Sequence, residues 1–190
     1  AAKNRFGATN ELGIFEMSDR GLIEITDPAG LFLQRGYSQR PGSVILSAGE
    51  GTRILLVEVQ GLTAPAAPGM TRRKATGVDA NRLAMILAIL ERHARLKLST
   101  KDVFVNVVGG VKVNEPAADL AIALAVAGAY TNKTLPQATA VFGELGLSGE
   151  LRPVPFGENR INEAIRLGLR QIIFPTGTAI RSARFEDSQI

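Results

Sequence analysis

The sequence predicts an α/β fold in which helices cover a sheet of mixed strand order. Two observations support this prediction. From residue 43 onward, short runs of aliphatic and β-branched residues alternate with longer segments whose apolar residues recur at helical spacing. The composition is 45% hydrophobic but only 5% aromatic, with no Trp. An aliphatic-rich, aromatic-poor chain of this kind suits helices that pack on a sheet.

The start of the chain is predicted to be the end of another domain. Residues 11–26 alternate as a β-hairpin around the turn Ser18–Gly21, and a single hairpin cannot sustain its own core. The segment 36–42, which contains Gly and Pro, is the expected boundary. We therefore divide the chain into residues 1–42 and a main domain of residues 43–190.

Helices are predicted where capping residues precede an apolar stripe. Asp27-Pro28 predicts a short helix near residues 31–33, because Pro is favoured at the first helical position. In the main domain one helix begins near Asp79, a second, Ala-rich helix begins at Pro116, and a third spans residues 158–167. The strands are predicted from short aliphatic runs at residues 44–46, 53–60, 103–108, 140–142 and 172–174.

The positive charge is concentrated in one segment. The net charge is +4, yet between Arg72 and Lys101 eight Lys and Arg face two Asp and Glu, an excess of six. Such a concentration is typical of a surface for a polyanion, and a solvated helix face is the alternative interpretation. The low aromatic content offers few platforms on which single-stranded bases could stack.

Several function classes gain no support from the sequence. No apolar run reaches the ~18 residues that span a membrane, and the absence of Cys excludes disulfides and thiolate zinc sites. His93 is the single His, so a Ser-His-Asp triad lacks a credible base. No Walker A loop follows any predicted strand. We expect a cytoplasmic protein with no membrane partner, and no cofactor or metal bound by this chain.

A five-residue motif near the start carries two cations. The Lys and the Arg bracket an amide residue and can serve anionic partners such as a nucleotide phosphate and a neighbouring chain. Cations that arrive from a neighbouring subunit stabilise a transferring phosphoryl group, whereas a solvated basic terminus is the alternative. The motif consists of Lys3, Asn4, Arg5, Phe6 and Gly7.

This motif and the following Glu11–Met17 resemble the KNRFG motif and hairpin of the bacterial RadA family of DNA-repair ATPases, and the resemblance extends along essentially the whole chain. In that family the motif closes a RecA-like ATPase core. The resemblance implies a fragment of an ATP-dependent motor that acts on recombination intermediates by branch migration or strand extension. It also implies a hexameric homo-oligomer, single-stranded or branched DNA and RecA as partners, ATP and Mg²⁺ in the preceding core, and Zn²⁺ in a preceding zinc finger.

The main domain resembles the proteolytic domain of Lon protease, whose fold is shared with the GHMP kinases and a domain of a small-subunit ribosomal protein. Lon-like peptidases place their Ser nucleophile in an Asp-Gly-Pro-Ser-Ala-Gly setting. The matching residues here are 114–119, Asn-Glu-Pro-Ala-Ala-Asp, so Ala117 occupies the nucleophile position and Arg160 the position of the Lys base. A methyl group cannot attack a carbonyl, and Arg stays protonated. The resemblance thus implies an inactive peptidase, and we call this pair of positions the vacated site.

The resemblance implies a DNA-binding scaffold in place of the chemistry. Because a cation opposes the dipole at a helix N-terminus, we expect Lys112 to pair with Glu115, with Asp119 or with a bound anion. We expect Arg160 to lack an acidic partner outside its own helix, so that its loss spares the fold. The remaining alternatives are a protein-interaction scaffold without DNA contact and an active Ser-Lys peptidase. The candidate phosphate contacts are Lys112, Arg160, Arg152, Arg53, Arg72, Arg73, Lys74 and Arg82.

Overall fold

The computed structural model describes residues 15–18, 21–24, 40–51, 53–67 and 69–180. These residues contain ten strands: β1 (Phe15–Ser18), β2 (Gly21–Glu24), β3 (Ser43–Glu50), β4 (Arg53–Pro65), β5 (Arg73–Thr76), β6 (Lys101–Val107), β7 (Thr139–Val141), β8 (Glu144–Leu145), β9 (Leu151–Arg152) and β10 (Gln171–Ile173). They also contain three α-helices: α1 (Ala80–His93), α2 (Asp119–Thr131) and α3 (Gly157–Arg166). Short 3₁₀ turns span Val108–Gly110 and Pro116–Ala118.

Six strands form one mixed sheet in the order β10-β7-β3-β4-β6-β5. The pairs β3–β4 and β4–β6 are antiparallel, and the other three pairs are parallel. Strands β8 and β9 form a small separate ribbon, and β1 pairs with β2 as an antiparallel hairpin. The α/β class and the mixed strand order that the sequence predicts are confirmed.

Alternation along the strands separates two faces of the sheet. Val44 and Leu46 of β3 belong to the large apolar core, which also contains Leu83 of α1 and Ile122 of α2. Ile45, between them in sequence, packs on the opposite face in a second cluster that includes Ala164 of α3. Helices therefore cover both faces of the sheet, as the α/β prediction requires.

Helix α2 crosses β4 in close contact at a glycine. A Cβ atom built on Gly61 would lie 2.7 Å from the backbone carbonyl carbon of Ala125, a separation that real side chains do not adopt. The helix itself follows from the sequence, because Pro116 opens the 3₁₀ turn that leads into it and the residues after this proline are almost all apolar. No helix in the described ranges is long and apolar enough to cross a membrane.

The structure differs from the sequence prediction in four places. Strand β4 continues through Pro65, whereas we predicted a strand over residues 53–60. Strands β5, β8 and β9 were not predicted at all. Each of these strands has two to four residues, and none of those residues is fully buried. Their sequences therefore contain no run of apolar residues that would predict a strand. Helix α1 begins after the N-cap Asp79, as predicted. The predicted helix near residues 31–33 and the domain boundary at 36–42 lie almost wholly outside the described residues.

Candidate functional site

The position at which the Lon resemblance places the nucleophile holds a buried methyl group. Ala117 lies in the 3₁₀ turn immediately before α2, is almost completely buried and belongs to the large core. Its carbonyl oxygen accepts a hydrogen bond of 2.8 Å from the backbone N–H of Gly143. Because the side chain has no lone pair, it cannot form an acyl-enzyme.

Arg160, at the position where the Lon resemblance places the base, is buried and makes four hydrogen bonds through its guanidinium. Its side chain is only 2% exposed. The guanidinium donates to both carboxylate oxygens of Glu115, at 3.0 and 2.5 Å. It also donates to the carbonyl oxygens of Ser47 and Pro155. The guanidinium carbon lies 5.8 Å from the ring centroid of Phe142. This geometry lets Arg160 connect α3, β3 and the segment before α2.

The expectation that Arg160 lacks an acidic partner outside its own helix is therefore wrong. The partner is Glu115, 45 residues earlier in the chain. A second donor, the backbone N–H of Gly49, holds the same carboxylate at 2.6 Å. Four of the five guanidinium N–H groups are used by protein acceptors, so Arg160 has little left with which to bind a phosphate.

A second ion pair occupies the cleft in front of α2. Arg82 of α1 donates to both carboxylate oxygens of Asp119, at 2.7 Å to Oδ1. Asp119 is buried and also accepts from the backbone N–H of Leu145 at 3.1 Å. The hydrogen bond with Asp119 raises the pKa of Arg82 above its ordinary value. The adjoining cavity of about 380 Å³ includes the carboxylates Asp79 and Glu115 in its lining.

Lys112 is exposed and forms no ion pair with any residue in the described ranges. The two acids that we expected as its partners are used elsewhere, since Glu115 holds Arg160 and Asp119 holds Arg82. The predicted structural pair of Lys112 with one of these carboxylates is therefore not formed. Lys112 remains available to an anion.

Four cations line the outer edge of the main sheet, and we call them the sheet-edge cluster. Strand β5 is the last strand of the sheet and carries Arg73 and Lys74, both exposed. Arg72 precedes it and is 69% exposed, although its Nε donates to the buried Asp102 at 3.0 Å. Lys112 is the fourth member and lies near the C-terminal end of β5. The backbone N–H of the next residue, Val113, donates to the carbonyl of Gly77, which follows the last residue of β5. At about 3.3 Å per residue, the cluster extends on the order of 16 Å.

The other predicted phosphate contacts lie apart from this cluster. Leu62 of β4 and Lys74 of β5 both pair with the same residue of β6, Phe104. Arg53 is the first residue of β4, nine residues before Leu62. At about 3.3 Å per residue this places Arg53 roughly 30 Å from the cluster. Arg152 is on the separate β8–β9 ribbon, where it pairs with Glu150. Of the eight predicted cations, four thus form the sheet-edge cluster and two, Arg53 and Arg152, lie apart from it. The other two, Arg82 and Arg160, are held in ion pairs with buried or half-buried carboxylates.

The remaining polar candidates have structural roles. The exposed His93 lies 3.0 Å through Nε2 from the carbonyl oxygen of Leu147, in the turn between β8 and β9. Glu150 accepts a hydrogen bond from its own backbone N–H and another from Arg152, and these lower the pKa of Glu150 below its ordinary value. The motif Lys3 to Gly7 lies outside the described residues.

Sequence reasoning missed Glu115 as the partner of Arg160 and missed the edge strand β5. It also missed Glu58, a buried carboxylate in β4 that lines a separate pocket. A signal for Glu58 was present, because an acid between two Val residues in an aliphatic strand indicates a polar group on one face of the sheet. No comparable signal marks Glu115, whose partner is remote in sequence.

Comparison with known proteins gives two results. The family model described as subunit ChlI of Mg-chelatase matches residues 72–178. The chain is 50% identical over 181 residues to the DNA repair protein RadA of Haemophilus influenzae, covering 95% of this chain and 40% of that protein. The corresponding values are 52% over 173 residues for the Salmonella typhimurium protein of the same name (91% and 38%) and 46% over 178 residues for that of Aquifex aeolicus (94% and 40%). The resemblance to RadA is confirmed, and the chain spans about two fifths of the length of these relatives.

Proposed function

We propose a function for this chain, which belongs to the family described as subunit ChlI of Mg-chelatase and is about half identical to bacterial RadA proteins. The chain is, in this proposal, the C-terminal part of a DNA-repair protein of the RadA type that works in the cytoplasm. Its main domain is a former peptidase domain that serves as a scaffold and as a sequence-independent DNA surface.

The sheet-edge cluster is the observation that supports this proposal best. Its four cations are exposed on one edge of a rigid sheet, and three of them have no acidic partner among the residues described. Lys and Arg that neutralise phosphates supply sequence-independent affinity for nucleic acid. We therefore limit the proposed DNA contacts to Arg72, Arg73, Lys74 and Lys112, and we leave out the buried Arg160.

The vacated site supports the inactive-peptidase part of the proposal. A buried methyl stands at the nucleophile position, and a guanidinium bound by a carboxylate stands at the base position. In place of catalysis, the Arg160–Glu115 pair connects three elements of the fold. In this proposal the base position thus carries one partner of a structural ion pair, and the nucleophile position carries a methyl group.

For the complete protein we propose an ATP-driven, hexameric motor that migrates branched recombination intermediates. The motif Lys3 to Gly7 would act on the nucleotide of a neighbouring subunit. In the full-length protein, Lys3→Ala or Arg5→Ala should impair ATP-driven branch migration and leave the melting temperature of the main domain unchanged. Normal ATPase and branch-migration rates in both variants would contradict this role.

The test of the DNA surface is the salt dependence of affinity. Each phosphate contact contributes roughly 0.9 to the slope of log affinity against log salt concentration on duplex DNA. The double variant Arg73→Ala/Lys74→Ala should therefore flatten the slope by roughly two units. The matched control is Arg166→Ala/Arg170→Ala, which removes the same charge from exposed positions in and after α3.

The measurement is fluorescence anisotropy with a labelled duplex of arbitrary sequence at five salt concentrations. An equal slope for the double variant and the control would show that general charge, and not the sheet edge, attracts DNA. Absence of binding by the unmodified chain at low salt would favour the alternative function, a protein-interaction scaffold without DNA contact.

A further inference from the structure

Glu58 is a buried carboxylate that no cation in the described part of the chain pairs with. It lies in β4 between Val57 and Val59, whose side chains belong to the large core, so its own side chain is on the opposite face of the sheet. The residue is 5% exposed. Burying a carboxylate is costly unless it is paired, yet no Lys, Arg or His in the described part of the chain forms an ion pair with it.

The hydrogen bonds of Glu58 occupy only one of its two carboxylate oxygens. The hydroxyl of Ser43 donates to Oε1 at 2.6 Å, and Nε2 of Gln60 donates to the same Oε1 at 3.0 Å. Oε2 accepts no hydrogen bond from the described residues. Ser43 and Gln60 stand opposite each other in the β3–β4 register, so the rigid sheet fixes this arrangement. Half of the carboxylate is thus left for another donor.

Glu58 lines a cavity of about 360 Å³, which we call the Glu58 pocket. Gln60 and Asn106 are register partners on β4 and β6, and Leu62 and Phe104 are the next pair on the same face. All four line the pocket together with Glu58. The pocket combines a carboxylate, two amide groups, an aromatic ring and an aliphatic side chain.

This combination matches the chemistry of an arginine side chain. A guanidinium carries five N–H donors in a planar fork, and it binds carboxylates and amide oxygens with charge-assisted hydrogen bonds. Its flat face also stacks on aromatic rings such as that of Phe104. Since the Nε2 of Gln60 is already engaged by Glu58, its amide oxygen remains as an acceptor. We propose that the Glu58 pocket binds the guanidinium of an arginine that a partner protein presents.

The rim of the pocket indicates a protein and not a free cation. Leu62 is 59% exposed beside the pocket, and Phe104 next to it is half-buried. Residues that flank an inserted arginine would cover this apolar rim, as at the centre of protein–protein interfaces. A small free amine or guanidine would leave the rim in water. The exposed Arg40 also lines the pocket but forms no ion pair with any described residue.

The binding test uses the whole 190-residue chain and the probe peptide acetyl-Leu-Arg-Leu-amide, followed by ¹H–¹⁵N NMR. We expect saturable shifts of the side-chain amide signals of Gln60 and Asn106, and at least tenfold weaker binding by Glu58→Gln. The control variant is Glu50→Gln, an exposed carboxylate at the end of β3, which should bind like the unmodified chain. Equal affinity of Glu58→Gln and the unmodified chain would overturn the proposal.

Two further probes distinguish an arginine presented by a protein from a small free cation. The peptide should bind at least tenfold more tightly than ethylguanidinium, because only the peptide covers the apolar rim. Acetyl-Leu-Gln-Leu-amide, which lacks the cation, should cause no saturable shift. If ethylguanidinium binds as tightly as the arginine peptide, the pocket is a site for a small cation and the partner-protein proposal fails.

Stability separates a binding role from a structural one. A Gln at position 58 can accept both existing hydrogen bonds through its amide oxygen and carries no buried charge, so Glu58→Gln should leave the melting temperature unchanged or raise it. A lower melting temperature would mean that the carboxylate serves the fold. Arg40→Gln should also leave the melting temperature unchanged, and a decrease would identify Arg40 as the cation for which the pocket is built.

Discussion

Replacing Arg160 by alanine should strongly destabilise the main domain. The guanidinium makes two hydrogen bonds to Glu115 and one each to the carbonyls of Ser47 and Pro155. The substitution leaves the two carbonyls without this donor and leaves the carboxylate with the backbone N–H of Gly49. Breaking a buried ion pair by removing one partner costs about 3–5 kcal/mol. Because the side chain of Glu115 is 24% exposed and can recruit water, we expect the lower end, about 3 kcal/mol.

Thermal unfolding followed by circular dichroism measures this loss. For a domain of this size, about 3 kcal/mol corresponds to a decrease in Tm of roughly 6–12 °C. The matched control is Arg166→Ala on the same helix, whose side chain is 52% exposed and pairs with Glu163 three residues earlier. An exposed pair of this kind contributes at most about 1 kcal/mol, so the control should melt close to the unmodified chain.

A second pair of variants isolates the charge from the packing. Arg160→Met retains an aliphatic stem beside Phe142, and adding Glu115→Gln removes the carboxylate that Arg160 neutralises while keeping an acceptor for Gly49. The double variant should therefore be more stable than Arg160→Met alone. If Arg160→Ala melts within 2 °C of the Arg166 control, the ion pair does not stabilise the fold and our interpretation of the vacated site is wrong.

Four further predictions follow from individual contacts. Arg82→Ala should cost about 2 kcal/mol or more in urea unfolding, because the buried Asp119 keeps only one backbone N–H donor; an unchanged midpoint would contradict this. Gly61→Ala should cost about 1–3 kcal/mol, since the new Cβ would lie 2.7 Å from a backbone carbon of α2; a stable variant would show that the helix can shift. Ala117→Ser should remain inactive on an unstructured fluorogenic peptide, because Arg160 stays protonated and cannot act as its base, and any turnover would place the base elsewhere. The pKa of Glu150 is lowered on folding. The stability that its ionised carboxylate adds to the folded chain is therefore complete above the ordinary pKa of 4.5 and is lost as pH falls through the folded pKa. The difference in Tm between the unmodified chain and Glu150→Gln should thus be largest above pH 5 and vanish in acid, and a difference that grows in acid would refute the assignment.

The elements with a strong apolar pattern were predictable from the sequence. Helix α1 was predicted from Asp79 and five apolar residues at helical spacing, and it begins there because the Asp79 carboxylate accepts a hydrogen bond from the backbone N–H of Arg82. The four-residue strand β5 was not predictable in this way. It has only one neighbouring strand and bears two exposed cations, so its position depends on the backbone hydrogen bonds of β6 and not on its own composition.

The candidate site was predictable only in part, for a similar reason. That Ala117 and Arg160 stand at the two catalytic positions followed from motif resemblance, and the structure adds that both are buried. The expectation that Arg160 lacks an acidic partner outside its own helix was wrong, since it considered only the acids on the same helix. The true partner, Glu115, is brought beside it by the packing of α3 on the sheet.

The sequence by itself determined which chemical groups exist: it has a methyl where the Lon resemblance places a hydroxyl, and it has an excess of cations between residues 72 and 101. Only the tertiary structure decided which cations of the described residues remain available. The Arg82–Asp119 and Arg160–Glu115 pairs join residues 37 and 45 positions apart, whereas the sheet-edge cluster stays exposed. The physical reason is that ion pairing and desolvation depend on distances of a few ångströms in space, and spacing along the chain does not encode those distances once the intervening residues fold.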